Sequence, residues 1–142
     1  MGGMSDTASS KSRAGVASRD MIVCNNQGRV LSAIECFRLK NDPRKGNERH
    51  SIGLHVRKIF RNEPLGVSPL LIIVYCETRG FGETWVKYLD YLRCLGFGNY
   101  PLLDLEEKEE FAKQVNIRVA MATHHREQFP VRVYHLMINM YP

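Results

Sequence analysis

What this chain lacks bounds it first. No apolar run approaches the roughly eighteen residues needed to span a bilayer, and the longest, Leu70 to Cys76, suits a buried strand or a short helix. The amino terminus has no signal-peptide hydrophobic region, so secretion is not expected. Its Met1-Gly2-Gly3-Met4-Ser5-Asp6 opening nearly imitates a myristoylation signal. Asp6 stands where a hydroxyl residue is required, so acylation is not expected either.

Cysteine is sparse and unpaired in sequence. Cys24, Cys36, Cys76 and Cys94 sit at wide intervals with no C-x-x-C, which argues against a disulfide framework and for reduced thiols buried as small hydrophobes. The five histidines lack the spacing of a zinc site, and the His124-His125 pair is expected on a loop. Neither a metal nor a cofactor is expected.

Catalytic signatures are missing as well. The chain has no P-loop, no G-x-S-x-G elbow and no H-E-x-x-H. Gly80-Phe81-Gly82 supplies two glycines of a G-x-G-x-x-G pattern, but Trp85 occupies the third position, where a side chain would block close approach to a pyrophosphate. The expectation is a protein that is not an enzyme.

What is present is charge, unevenly placed. Residues 1–62 carry twelve Lys/Arg against five Asp/Glu, a net of +7, whereas residues 63–142 carry eight against ten, a net of −2. A concentration of one sign directs the field toward polyanions such as nucleic acid, an anionic membrane surface or an acidic partner. Aromatics are scarce in the basic half, with only Phe37 and Phe60, so backbone phosphate contact is a better nucleic-acid reading than base stacking.

The 142 residues, 44% hydrophobic and 25% charged, fit one domain plus a tail. Residues 1–20, rich in Ser, Gly and Ala with scattered Lys11, Arg13 and Arg19, are expected to form a disordered basic tail. Residues 21–142 are expected to form a single α+β domain, with a small mixed or antiparallel sheet and two or three helices. Val30–Leu39 fits a strand or a short helix equally. So does Ile52–Arg61, which is amphipathic and cationic in both readings. Between them, Asn41 to Asn47 reads as a loop carrying Arg44 and Lys45.

Leu70–Tyr75, continuous and rich in β-branched residues, favours a strand buried on both faces. Trp85, Tyr88, Leu89, Leu92 and Leu95 recur at helical spacing, with Thr84 as a cap, Gly96 as a stop and Trp85 as a core anchor. Asp104 with Glu107 resembles a capping box opening a short acidic helix to about Gln114. Val115–Ala122 alternates as a half-buried strand, and Val131–Tyr141 reads as a final strand with apolar residues on both faces.

Gly82-x-x-Trp85-Val86-x-x-Leu89, Ile117-Arg118-Val119-Ala120, Arg132-Val133-Tyr134 and Ile138-Asn139-Met140-x-Pro142 together resemble the matrix proteins of rhabdoviruses. The likeness covers about a third of the chain, which is shorter than such proteins and has no P-P-x-Y motif. It implies a virion component, also found in the host cytoplasm and with the nucleus as a further compartment, that bridges ribonucleoprotein and the inner face of an anionic membrane and forms homo-oligomers. Tyr91-Leu92-x-x-Leu95-Gly96 and the strand before it are similar, second, to geminivirus replication enhancers, which implies an accessory protein that binds replication proteins. In the matrix-type reading the candidate polyanion contacts are Lys11, Arg13, Arg19, Arg44, Lys45, Arg49, Arg57, Lys58 and Arg61, whereas the accessory protein would bind through apolar surfaces.

Overall fold

The computed structural model describes residues 3–8, 19–61, 68–127 and 129–142. Seven strands and two helices follow one another as β1 (Gly3–Ala8), β2 (Arg19–Cys24), β3 (Val30–Leu39), α1 (Gly46–Arg61), β4 (Leu70–Cys76), α2 (Phe81–Cys94), β5 (Leu102–Glu107), β6 (Ile117–His124) and β7 (Val131–Asn139). The strands form one sheet in the order β1-β2-β3-β4-β7-β6-β5. Its centre, β3, β4 and β7, is parallel, and both wings are antiparallel. This is the mixed sheet of an α+β domain.

The sheet reaches into the segment expected as a tail. Gly3–Ala8 pairs antiparallel with Arg19–Cys24, and backbone pairing of this kind does not depend on large side chains. Residues 9–18, with Lys11 and Arg13, lie outside the described residues.

The three segments of open type are resolved by which side chains each buries, Leu70–Cys76 being a strand. Val30–Leu39 is a strand because alternation places Ala33, Glu35, Phe37 and Leu39 on one buried face. Ile52–Arg61 belongs to a helix, whose stripe of Ile52, Val56, Ile59 and Phe60 is buried against the same face of the sheet. The central strand β4 adds Leu70, Ile72, Val74 and Cys76, and β7 adds Val131, Val133 and Met137.

Helix α2 begins at Phe81, four residues before Trp85, and Gly80 rather than Thr84 is its cap. Gly80 has φ 78°, a left-handed turn that glycine enters without steric cost. Thr84 is buried instead, its hydroxyl 2.6 Å from that of Thr78. Trp85 is indeed in the core, 2% exposed, and its indole Nε1 donates to Glu107 at 2.7 Å.

The acidic helix expected from Asp104 does not form. Leu102–Glu107 is edge strand β5, paired with β6, and only a 3-10 turn at Glu109–Phe111 follows. Leu102 and Leu105 pack on the core while Asp104, Glu106 and Glu107 face water, so pairing with β6 outweighs the local capping signal. Charge on an edge strand also discourages pairing with other sheets.

α1 and α2 lie on the same side of the sheet. His55 of α1 contacts Glu35 of β3, and Tyr88 of α2 contacts His135 of β7, both on the face that also presents Ile72. The opposite face carries Ile34, Leu71, Tyr134 and Met121 in one cross-strand row and Cys36, Ile73, Leu136 and Val119 in the next. These side chains are only half-buried. The expectation that β4 is buried on both faces is therefore corrected: among the described residues no helix covers the second face.

Candidate polyanion-binding face

The candidate cations divide by location. Lys11 and Arg13 lie outside the described residues, Arg19 opens β2, and Arg61 ends α1. Arg44 and Lys45 are exposed on the turn before α1, and Arg49 and Arg57 are exposed on α1 itself. Lys58 points inward, its Nζ 3.6 Å from Oε2 of the buried Glu35.

Arg49 and Arg57 form a ridge because they are two i,i+4 steps apart through Gly53, about 12 Å along the helix axis. Gly53 lets α2 approach closely, since a Cβ there would sit 3.0 Å from Tyr91 Oη. That hydroxyl donates to the Arg49 carbonyl at 2.9 Å. The Arg49 guanidinium stands over the Tyr91 ring, 5.1 Å from its centroid. Arg57 Nε donates to the Gly96 carbonyl at 2.8 Å, satisfying a backbone group just past the end of α2. Both guanidinium groups are thus held by the second helix while remaining exposed.

The preceding turn sets the other end of the ridge. Asp42 accepts from the Arg44 backbone N–H at 2.9 Å, and Arg44 Nε and Lys87 Nζ each approach it to 3.3 Å. These bonds, led by the one from the Arg44 backbone, hold the Asp42 carboxyl well below the usual range. Glu48 accepts from the Lys40 N–H at 2.8 Å and so ties the first turn of α1 to the end of β3. Among the described residues neither the Lys45 ammonium nor the Arg49 guanidinium has a hydrogen-bond acceptor.

No protein-family model, no curated protein and no solved structure matches the chain.

Lys87 joins this face from α2, and the sequence reading missed it because the residue belongs to the half with net negative charge. Its pairing with Asp42 at 3.3 Å is a tertiary fact. Of the ten acidic residues of that half, Asp104, Glu106 and Glu107 lie on β5 and Glu109 and Glu110 just after it, four strands from β3 and so roughly 19 Å across the sheet, while Glu83 and Asp90 lie on α2 itself. The polarity seen along the chain therefore persists in space only in part.

Buried polar groups lie beneath the helices. Glu35 Oε1 is 2.8 Å from His55 Nδ1, and the His55 ring stacks on Phe37 at 4.8 Å. Tyr88 Oη is 2.8 Å from His135 Nδ1, and burial holds the Tyr88 hydroxyl in its neutral form and lowers His135 to about 3. His124, expected on a loop, is the last residue of β6 and is buried between Phe60 and Phe97, with its Nδ1 2.9 Å from the Tyr100 carbonyl. The bond to Tyr100 only partly opposes the lowering of its pKa by burial. The Nε2 atoms of His124 and His135 have no hydrogen-bond partner among the described residues.

Of the cysteines expected to be buried, Cys76 is buried, Cys24 and Cys36 are half-buried and Cys94 is exposed; all four are free thiols. Among the described residues no cluster of three or more His, Cys, Asp or Glu is arranged to hold a metal ion.

Proposed function

We propose that this chain is a non-enzymatic interaction protein of matrix type, which binds phosphate-bearing polyanions through the α1 face and self-associates. The observation that carries the reading is the Arg49–Arg57 ridge, with both residues exposed and held in place, Arg49 by Tyr91 of α2 and Arg57 by the Gly96 carbonyl just beyond it. Arginine presents a planar fork of donors that matches phosphate oxygens, and immobilising it beforehand lowers the entropy lost on binding. Lys45 and Lys87 extend the same face. The acidic β5 edge lies far enough away to leave that field intact beyond a Debye length of about 8 Å.

Ribonucleoprotein and anionic phospholipid both offer this chemistry, and the matrix-type reading engages both in the virion and host cytoplasm. No helix among the described residues is long and apolar enough to cross a membrane, so membrane contact in this reading is peripheral. The accessory-protein reading, in which apolar surfaces bind replication proteins, is favoured by one observation, the uncovered face of the sheet.

Co-sedimentation of the full chain with RNA, with anionic vesicles and with neutral vesicles tests the reading. Binding to RNA and anionic vesicles, weakened by salt and absent on neutral vesicles, is expected. Retention of RNA alone reduces the function to nucleic-acid binding, and failure to bind either at low salt overturns the proposal.

A further inference from the structure

Among the described residues no helix covers one face of the sheet. Parallel strands occur almost only where both faces of the sheet are covered, because their side chains on each face are apolar and their crossover helices normally supply two layers. Here β3, β4 and β7 are parallel, yet α1 and α2 both lie on one side. On the other side Leu71, Ile73, Tyr75, Tyr134 and Leu136 stand half-buried.

We propose that this open sheet face is an isologous dimerisation surface, covered by the same face of a second copy of the chain. The inference deepens the self-association part of the proposed function and does not depend on the polyanion-binding part.

Charge decides against other occupants. In the cross-strand rows of Leu71 and of Ile73 and in the next, Arg38, Tyr75, Ile138 and Ile117, Arg38 is the one charged side chain, and it sits at a corner. Glu77 neutralises it through bonds of 2.6 and 3.0 Å. A phosphate surface would therefore find no free cation in the centre of the face. Of this chain's own segments outside the described residues, 9–18 contain only Val16 and 62–67 only Leu65 and Val67 as aliphatic side chains larger than alanine, too little apolar surface to cover the rows.

Area and shape favour a second copy. Including β2, whose Met21 aligns with Ile34, five strands at about 4.8 Å spacing and roughly seven residues at about 3.3 Å rise give a flat footprint of about 550 Å². Pleating raises the accessible area above that footprint, toward the roughly 800 Å² that each partner contributes to a standard interface. Two sheets of the same twist also stack face to face about 10 Å apart with strands near −30°, so the surface is complementary to itself. A two-fold axis near Ile73 and Leu136, the middle row of the two central strands, buries the largest aliphatic side chains at the centre.

Sedimentation velocity of the full chain, with maleimide labelling of Cys36 mapped by mass spectrometry, tests the inference. The wild-type chain is expected at twice 16.3 kDa, with Cys36 labelled slowly relative to the exposed Cys94. Tyr134→Lys changes a half-buried position, and Ile73→Glu is the stronger second variant. Each should weaken dimerisation about 100-fold or more by placing an unpaired charge at the interface, and should accelerate Cys36 labelling with the far-ultraviolet circular dichroism unchanged. Val86→Glu on the exposed face of α2 should leave the dimer intact. A wild-type chain that stays monomeric at its highest soluble concentration overturns the inference, whether or not the variants fold. So does a dimer of unchanged affinity in a folded Tyr134→Lys. An Arg49→Glu, Arg57→Glu chain that binds RNA as the wild-type chain does and still dimerises sinks the polyanion reading and leaves this one standing.

Discussion

Glu35 of β3 and His55 of α1 meet at 2.8 Å in the seam between sheet and helix, with the carboxylate 1% exposed. Lys58, one turn further along α1, reaches the other carboxylate oxygen at 3.6 Å. A buried acid at this position fixes how α1 sits on the sheet, and with it the direction of the Arg49–Arg57 ridge on the opposite side of the same helix.

Replacing Glu35 should therefore be costly even though the residue touches no partner. Removing one member of a buried ionic cluster leaves the others desolvated, typically about 3 to 5 kcal/mol. Glu35→Ala is expected to lose that order of stability in urea denaturation, and Glu35→Gln, which keeps a hydrogen-bond acceptor, less. A double-mutant cycle with His55→Ala should show coupling, whereas additive losses would mean that the pair acts only through packing.

The second buried pair makes stability depend on pH. Burial lowers His135 to about 3 in the folded chain, whereas an unfolded histidine titrates near 6.5. Between those values the unfolded state binds more protons, so stability is full above about pH 6.5 and falls as pH drops toward 3. The limiting slope is about 1.4 kcal/mol per pH unit for this one group. His124, lowered in the same direction, adds to it. Denaturation midpoints measured from pH 7.5 to 4.5 should fall for the wild-type chain and flatten in His135→Gln; an unchanged profile in the variant would exclude His135 as the source.

Gly53 is required by the approach of Tyr91. Alanine there gains about 1 kcal/mol of helix propensity but brings its Cβ to 3.0 Å from the Tyr91 hydroxyl. Gly53→Ala should consequently be neutral or destabilising in the wild-type background and stabilising by about 1 kcal/mol in a Tyr91→Phe background, where the hydroxyl is absent. Thermal melts of the four chains measure this, and equal effects in both backgrounds would contradict the close contact.

Asp42 restrains two cations of the candidate face, Arg44 and Lys87. Asp42→Asn removes the negative charge and should tighten binding of RNA several-fold at low salt, an effect that disappears as salt screens it. Fluorescence anisotropy across a salt series is the measurement, and weaker binding in the variant would mean that Asp42 holds the turn in its binding shape.

Much of the architecture is written in local pattern, and the failures have physical causes. β6 and β7 were legible because alternation and β-branching act on neighbouring residues, and the helix around Trp85 because its apolar positions recur at 3.6; at β4 the β-branched run favoured a strand while a short helix stayed open. Val30–Leu39 and Ile52–Arg61 were not legible, since their apolar residues satisfy both periods and only the parallel pairing with Leu71–Cys76 selects a strand for the first. Asp104–Glu107 misled because a capping box is a local signal and strand pairing to Ala120–Thr123 is not. The candidate site divides likewise. Arg44, Lys45, Arg49 and Arg57 are neighbours in sequence and in space, whereas Lys58 turns inward to Glu35 and Lys87 arrives from the acidic half, neither of which a charge count contains.

Contact between the Arg49–Arg57 ridge and phosphate is read out most directly by the salt dependence of RNA binding. Each neutralised phosphate on single-stranded nucleic acid contributes about −0.7 to the slope of log K against log salt concentration. The Arg49→Ala, Arg57→Ala chain should therefore bind single-stranded RNA more weakly, with a slope shallower by about 1.4. The same affinity and slope in the double variant and the wild-type chain would contradict the account.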